Sequence, residues 1–282
     1  MDGRSFLGLK STESPTRWVL PVTPGLCSGR NSLFGGVGIA AGVAALEAAS
    51  GRRCIWTTGQ FLTLVGPGDA VEIDVELSVV GNQVTQGQAV LRVGDRRILV
   101  VSAALGDRSF PHSGQFVAMP SVPRPSESRV RIRLDQDESL SGRVEQRPVK
   151  FRPWETLDGT VPGDGNTRVW VRVPEYVGML DAAMLSILGD FMFLGTGQAL
   201  GIVGGGSSLD NTMRFGCTVP TEWVLLDIHI QVAERGFAHG SVNMYAEDGT
   251  LLAVAGQSCV VRFWDNPQDR SLEPVEHQEN QS

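Results

Sequence analysis

Two polar side chains set into apolar surroundings carry the chemistry this sequence offers. Asp210 stands near the start of the stretch Ser207 to Phe263, and Gln257 lies inside its last apolar run, LLAVAGQSCVVRF. A carboxylate whose pKa is raised by partial burial can take a proton from water. A buried amide is costly unless its groups are bonded, and it can accept from a water while donating to an oxygen, so it can orient a nucleophile. A third feature is Gly35-Gly36 at the head of an alanine-rich run. Free N–H groups at a helix N-terminus favour developing negative charge, so these glycines are candidates for an oxyanion site. Close packing of a helix on a sheet explains them equally well.

The elements that must position these residues can be read from periodicity. The run GVGIAAGVAALEAAS after Phe34-Gly35-Gly36 places Ile39, Val43 and Leu46 at helical spacing, and its glycines and alanines make it thin and apolar nearly all round. That predicts a central helix enclosed by a sheet. Val71, Ile73, Val75, Leu77 and Val79 alternate with Glu72, Asp74, Glu76 and Ser78, a strand with one buried face. Turn signals then separate Gln86 to Val93 from Ile98 to Leu105. A second unit begins with strand candidates at Arg143 to Val149 and Arg168 to Val173, followed by helical spacing from Tyr176 to Leu194 that leaves Asp181 and Asp190 as isolated acids. The run Gly201 to Gly206 lacks the features of a nucleotide loop and reads as a flexible connector. Three strands, Trp223 to Val232, Ala238 to Ala246 and Leu251 to Phe263, complete the unit. The expected organisation is residues 1–110, a proline-rich linker over 111–140, a second unit over 141–264 and a disordered tail over 265–282.

Composition narrows the function classes. With 24 Lys+Arg against 31 Asp+Glu the net charge is −7, which gives no basic footprint for nucleic acid and no attraction to anionic lipid. Four scattered cysteines without a CxxC pair fit free thiols in a reducing compartment better than structural zinc. The N-terminal residues lack an export signal, and no apolar run reaches the roughly 18 to 20 residues that span a bilayer. The expectation is a soluble cytoplasmic protein without membrane insertion.

The two units repeat. A shift of 153 places Pro67 on Pro220, Gly87 on Gly240 and Asp95 on Asp248, and it carries Val71, Ile73, Val75, Leu77 and Val79 onto Val224, Leu226, Ile228, Ile230 and Val232. Identical turn residues in a gap-free register argue for two copies of one helix-plus-sheet unit. In that register Thr57 corresponds to Asp210 and Ala104 to Gln257, so the acid and the amide belong to the second copy alone.

Taken in order, several short pieces carry a family likeness. They are Phe34-Gly35-Gly36, Gly66-Pro67-Gly68-Asp69, Met119-Pro120-Ser121-Val122-Pro123, Val144 to Val149, Ser208-Leu209-Asp210, Glu222 to Leu226, Arg235-Gly236-Phe237, Asp248-Gly249 and Gln257. On these the chain resembles the acyl-CoA thioesterase II family over about Trp18 to Trp264. The resemblance implies an α+β double hotdog, two tandem antiparallel sheets each wrapped round a long helix. It also implies hydrolysis of acyl-CoA thioesters by an Asp, Ser/Thr and Gln set that holds a water, with no cofactor and no metal because a thiolate leaves readily. Asp210 matches the acid and Gln257 the amide. The hydroxyl is expected just before Arg235-Gly236-Phe237, where Asp227 to Glu234 contains no Ser or Thr. Gln231 is the candidate substitute, with His229 beside it, although alternation puts both opposite Ile228 and Ile230.

Two other readings stay open at this point: a non-catalytic module that binds acyl-CoA or an acyl carrier, and an enoyl-CoA hydratase, which would need an Asp/His pair. An internally duplicated hotdog already supplies the pairing that single-copy relatives obtain by dimerising. A monomer and a homo-oligomer both fit.

Overall fold

The computed structural model describes residues 1–128, 138–176 and 178–263. Its elements in the first half of the chain are α1 (Gly3–Leu7), β1 (Lys10–Ser11), β2 (Arg17–Pro21), α2 (Gly35–Ser50), β3 (Cys54–Phe61), β4 (Ala70–Val80), β5 (Val84–Val93) and β6 (Arg96–Gly106). The second half follows with α3 (Leu140–Arg143), β7 (Glu145–Lys150), β8 (Asn166–Arg172), α4 (Ala182–Gly189), a 3-10 turn over Asp190–Met192, and α5 (Phe193–Leu200). It ends with β9 (Gly204–Phe215), β10 (Val224–Glu234), β11 (Phe237–Ala246) and β12 (Leu251–Phe263).

All the strands join one 12-stranded antiparallel sheet in the order β1-β2-β4-β5-β6-β3-β9-β12-β11-β10-β8-β7. The order is the same read outward from the centre in either direction, β3-β6-β5-β4-β2 on one side and β9-β12-β11-β10-β8 on the other. The centre is the β3–β9 pair, where Thr58 faces Thr212 and their hydroxyls lie 2.8 Å apart. This is the α+β double hotdog, two helix-wrapped arms fused edge to edge so that their inner strands leave no free edge between them.

The helices occupy the concave side because their sequences can be buried all round. In α2 every residue from Gly36 to Leu46 is buried. Its small residues set how closely the sheet can approach: a Cβ on Gly42 would meet Val101 Cγ2 at 2.9 Å, and one on Gly38 would meet Leu99 Cδ2 at 2.8 Å. The second helical element begins at Ala182, later than the spacing from Tyr176 predicts, because Asp181 caps it by accepting from the Met184 N–H at 2.8 Å. It runs through the 3-10 turn to Leu200, a length of 19 residues with a mean hydropathy of 1.3. That is long and apolar enough to cross a membrane, but 83% of it is buried inside the protein.

Three expectations need correction. The Gly-rich stretch is no connector: Gly201 ends α5 in a left-handed conformation (φ 70°), and Gly204 to Gly206 already pair with β12 as the first residues of β9. Gly206 has to be small there, since a Cβ would come within 2.4 Å of Cys259 Sγ. The proline-rich linker also does more than cross the surface. Gln115 bonds both Gly249 O and Leu251 N, and Trp170 Nε1 donates to Pro123 O at 3.0 Å. Met119 and Val122 thereby cover Trp170, Trp223, Leu225 and Tyr245 on the outer face of the second arm. The middle of the linker and the tail over 265–282 lie outside the described residues.

The third correction concerns register. A shift of 153 holds from β4 to β10 and from β5 to β11, because Val75 pairs with Ala89 as Ile228 pairs with Val242. The β11–β12 turn is then one residue longer than its counterpart: Ala89 faces Val101, whereas Val242 faces Ala255, so β6 maps onto β12 with a shift of 255 − 101 = 154. The bulges agree, for Cys54/Trp56 in β3 matches Ser208/Asp210 in β9, again 154 apart. Gln257 therefore answers to Ala103 and Asp210 to Trp56. A slip of one residue in a strand reverses which face each side chain occupies.

Candidate active site

That reversal decides where the predicted residues go. On β12 the inward set is Ala253, Ala255, Gln257 and Cys259, all buried, and Gln257 is 4% exposed. On β9 the inward set is Ser208, Asn211 and Met213. Leu209 is the extra residue of a bulge opposite Ser258 and Cys259. A bulge breaks simple alternation, so Asp210 ends up on the outer face beside Ser258 and Gln60, half-buried, with Oδ1 accepting from the Ser258 N–H at 2.8 Å. Asp210 and Gln257 are thus on opposite faces of the sheet, and the expected pair is not brought together.

The acid that does meet Gln257 is Asp190, the first residue of the 3-10 turn between α4 and α5, only 3% exposed. Four donors converge on its carboxylate. The Gly36 N–H of α2 gives 2.7 Å to Oδ2; Asn211 Nδ2 at 3.3 Å, Ser208 Oγ at 3.4 Å and a very short contact from Gln257 Nε2 all go to Oδ1. Gln257 Nε2 also donates to Ser208 Oγ at 2.7 Å, closing a triangle of acid, hydroxyl and amide. The site is shared between the arms: the acid, hydroxyl and amides come from the second, and the helix N-terminus from the first.

Gly36 serves this junction in two ways. Phe34, the N-cap of α2, makes no side-chain cap bond, which leaves the first N–H groups of the helix to other partners. A Cβ on Gly36 would also meet Ser186 O at 2.7 Å and Asp190 Cβ at 2.8 Å, and one on Gly35 would meet Asp190 Oδ2 at 2.8 Å. Close packing and an anion-facing N-terminus, weighed as alternatives for these glycines, are the same arrangement here.

Electrostatics follow from burial. Loss of hydration pushes the Asp190 carboxyl up to about 6, against the lowering effect of its bonds to Gly36, Asn211, Gln257 and Ser208. A carboxylate with that affinity is mostly ionised near neutrality and still able to take a proton. Because it is acceptor-only when ionised, it fixes both amides with nitrogen inward. Their oxygens, Gln257 Oε1 and Asn211 Oδ1, are buried without a hydrogen-bond partner. Beside the acid lies an aromatic wall, with Phe34 5.0 Å from Phe191 and 6.2 Å from Phe193 between ring centroids.

The remaining candidates lie elsewhere. Gln231 is exposed on β10 and donates to Ser241 Oγ at 3.1 Å, so it is not the third member at this cluster. His229 is held on the outer face by Asn166 and Asp227, at 2.7 and 2.9 Å. Asp190 could have been found from its isolation in an apolar helical run. Ser208 carried a weaker signal, since plain alternation from the inward Asn211 and Met213 turns it outward and only the bulge at Leu209 brings it in.

Comparisons with known proteins agree with this architecture. The family profile of the acyl-CoA thioesterase C-terminal domain matches residues 115–261. Among solved structures, a proposed thioesterase from Novosphingobium aromaticivorans is 28% identical, with a TM-score of 0.79 over 89% of this chain and 97% of its own. A tesB protein from Mycobacterium avium subspecies paratuberculosis (19% identity, TM-score 0.74, 92% and 97% covered) and the acyl-CoA thioesterase II TesB2 from Mycobacterium marinum (18%, 0.68, 93% and 99%) share the fold. No curated protein matches. Since the family match takes in 261 − 115 + 1 = 147 of the 282 residues, more than half, the chain belongs to the acyl-CoA thioesterase C-terminal domain family and is a thioester hydrolase.

Proposed function

We propose that the protein hydrolyses acyl-CoA thioesters with a water held by Asp190, Ser208 and Gln257. The observation that supports this reading is the buried carboxylate receiving Gln257, Ser208 and a helix N-terminus at one point. The water gives one hydrogen to Asp190 and the other to the unpaired Gln257 Oε1, which leaves a lone pair aimed at the thioester carbonyl carbon. As the C–O bond forms, Asp190 takes the proton and the carbonyl electrons move to oxygen. Collapse of the tetrahedral adduct breaks the C–S bond and expels coenzyme A as thiolate, and the proton on Asp190 passes to it or to solvent. Products are the fatty acid and the free thiol.

Gly36 N–H stabilises the ionised base, so the oxyanion role expected of Gly35 and Gly36 falls to Gly35 at the positive end of the α2 dipole. The phenylalanine wall offers an apolar surface for the acyl chain next to the reacting carbon. Ser208 supplies the hydroxyl that Asp227 to Glu234 lacks, and among the described residues the acid's partners include no histidine of the kind a hydratase would need. Thiol release from a panel of acyl-CoA chain lengths tests the proposal. Turnover that disappears in Asp190→Asn and persists in Asp210→Asn is expected; tight binding of acyl-CoA by the wild type without turnover would overturn it.

A further inference from the structure

Asn211 is fully buried, and the family likeness gives it no role. It occupies the inward position on β9 that Thr57 holds on β3, where Thr57 Oγ1 simply donates to Ser102 O at 3.0 Å. Asn211 instead turns its Nδ2 to Asp190 Oδ1, at 3.3 Å, and leaves its own oxygen unpaired. Burying an amide with an orphaned acceptor is costly, so a threonine that satisfied itself locally, as in the first arm, would be the cheaper residue for packing alone. We propose that Asn211 is a positioning residue of the site, its amide holding the Asp190 carboxylate ionised and turned toward the water shared with Gln257.

The surroundings make such a donor consequential. The elements packed on Asp190 turn few titratable or charged groups toward it. From β12 it faces the Cys259 thiol, which burial pushes up and so keeps neutral; α2 contributes Gly35, Gly36 and their backbone; α4 and α5 carry no titratable side chain; and Asp210 of β9 and His239 of β11, which bonds Ser258 Oγ, are on the outer face. The charge on Asp190 is therefore balanced by hydrogen bonds, and removing one donor to a buried carboxylate raises its proton affinity. The bond is long enough that its share is smaller than that of Gly36.

This inference rests on Asp190 being the base, and its test separates the two. The pH dependence of kcat/KM for thiol release is measured for the wild type, Asn211→Leu and Asn211→Asp. Leucine fills the space without a donor and should move the acidic limb upward by about half to one unit, so that activity relative to the variant's own plateau falls roughly three- to tenfold near pH 5. Aspartate, nearly isosteric and able to fold where leucine cannot, puts a second acid beside the first and should move the limb further up. An unmoved limb in a folded variant overturns the role of Asn211 and leaves hydrolysis by Asp190 standing. A wild-type profile with no acidic limb, or activity that survives Asp190→Asn, removes the basis for both.

Discussion

Asp190→Asn alters the charge of the site while keeping its shape, and it should move stability and activity in opposite directions. Burial raises the carboxyl from an ordinary 3.8 to about 6. A rise of about two units corresponds to about 3 kcal/mol at 1.36 kcal/mol per unit. The sign follows from linkage. The folded state holds this proton more tightly than the unfolded state does, so the contribution is full below the unfolded pKa, declines as the pH climbs through about 6, and is gone above it. Asparagine does not titrate. Relative to the wild type, the variant should therefore gain stability as the pH rises from about 4 to about 6 and keep that gain above it, by up to about 3 kcal/mol. Part of that gain is offset because the fixed Gly36 N–H keeps the remaining oxygen, so the new NH2 faces Asn211 and Gln257 and both of those amides must turn over.

Catalysis should fall by about 10²- to 10⁴-fold, the usual loss when a positioned base is removed. Denaturant unfolding at several pH values together with thiol release from acyl-CoA reads both quantities. A stability difference that is flat with pH, or a variant that keeps more than about a tenth of wild-type kcat/KM, would refute the assignment of Asp190 as a buried, raised base.

Other outcomes follow from the same geometry. Gln257→Leu removes a donor to both Asp190 and Ser208, and kcat should drop about 10²-fold or more with KM nearly unchanged, read by steady-state kinetics. Ser208→Ala should be milder than Gln257→Leu, because the hydroxyl lies at 3.4 Å from the acid. Asp210→Asn, on the outer face, should leave kcat/KM within about twofold and lower thermal stability by about 1 kcal/mol or less through its bond to Ser258 N–H. Gly36→Ala drives a Cβ into Ser186 O and Asp190; a loss of about 1 to 3 kcal/mol in stability is expected, with activity reduced beyond what stability explains.

Periodicity and composition by themselves determined the repeating helix-plus-sheet plan, the thin apolar α2, most strand positions and the presence of Gln257 in a buried run. These are local properties: burial on one face writes itself into every second residue of a strand, and a helix enclosed on all sides needs small residues throughout. Where Asp210, Ser208 and Asp190 point was decided only in three dimensions. A one-residue lengthening of the β11–β12 turn and a bulge at Leu209 move side chains from one face to the other without altering the hydrophobic pattern that a reader of the sequence can follow. Asp190 is separated from Gln257 by 67 residues and from Gly36 by 154, and no spacing rule joins such positions. What joins them is the packing of α2 against α4, close enough that a glycine N–H of one arm reaches a carboxylate of the other. An acid that is merely isolated in an apolar helix thereby becomes the buried, bonded and raised centre of the site.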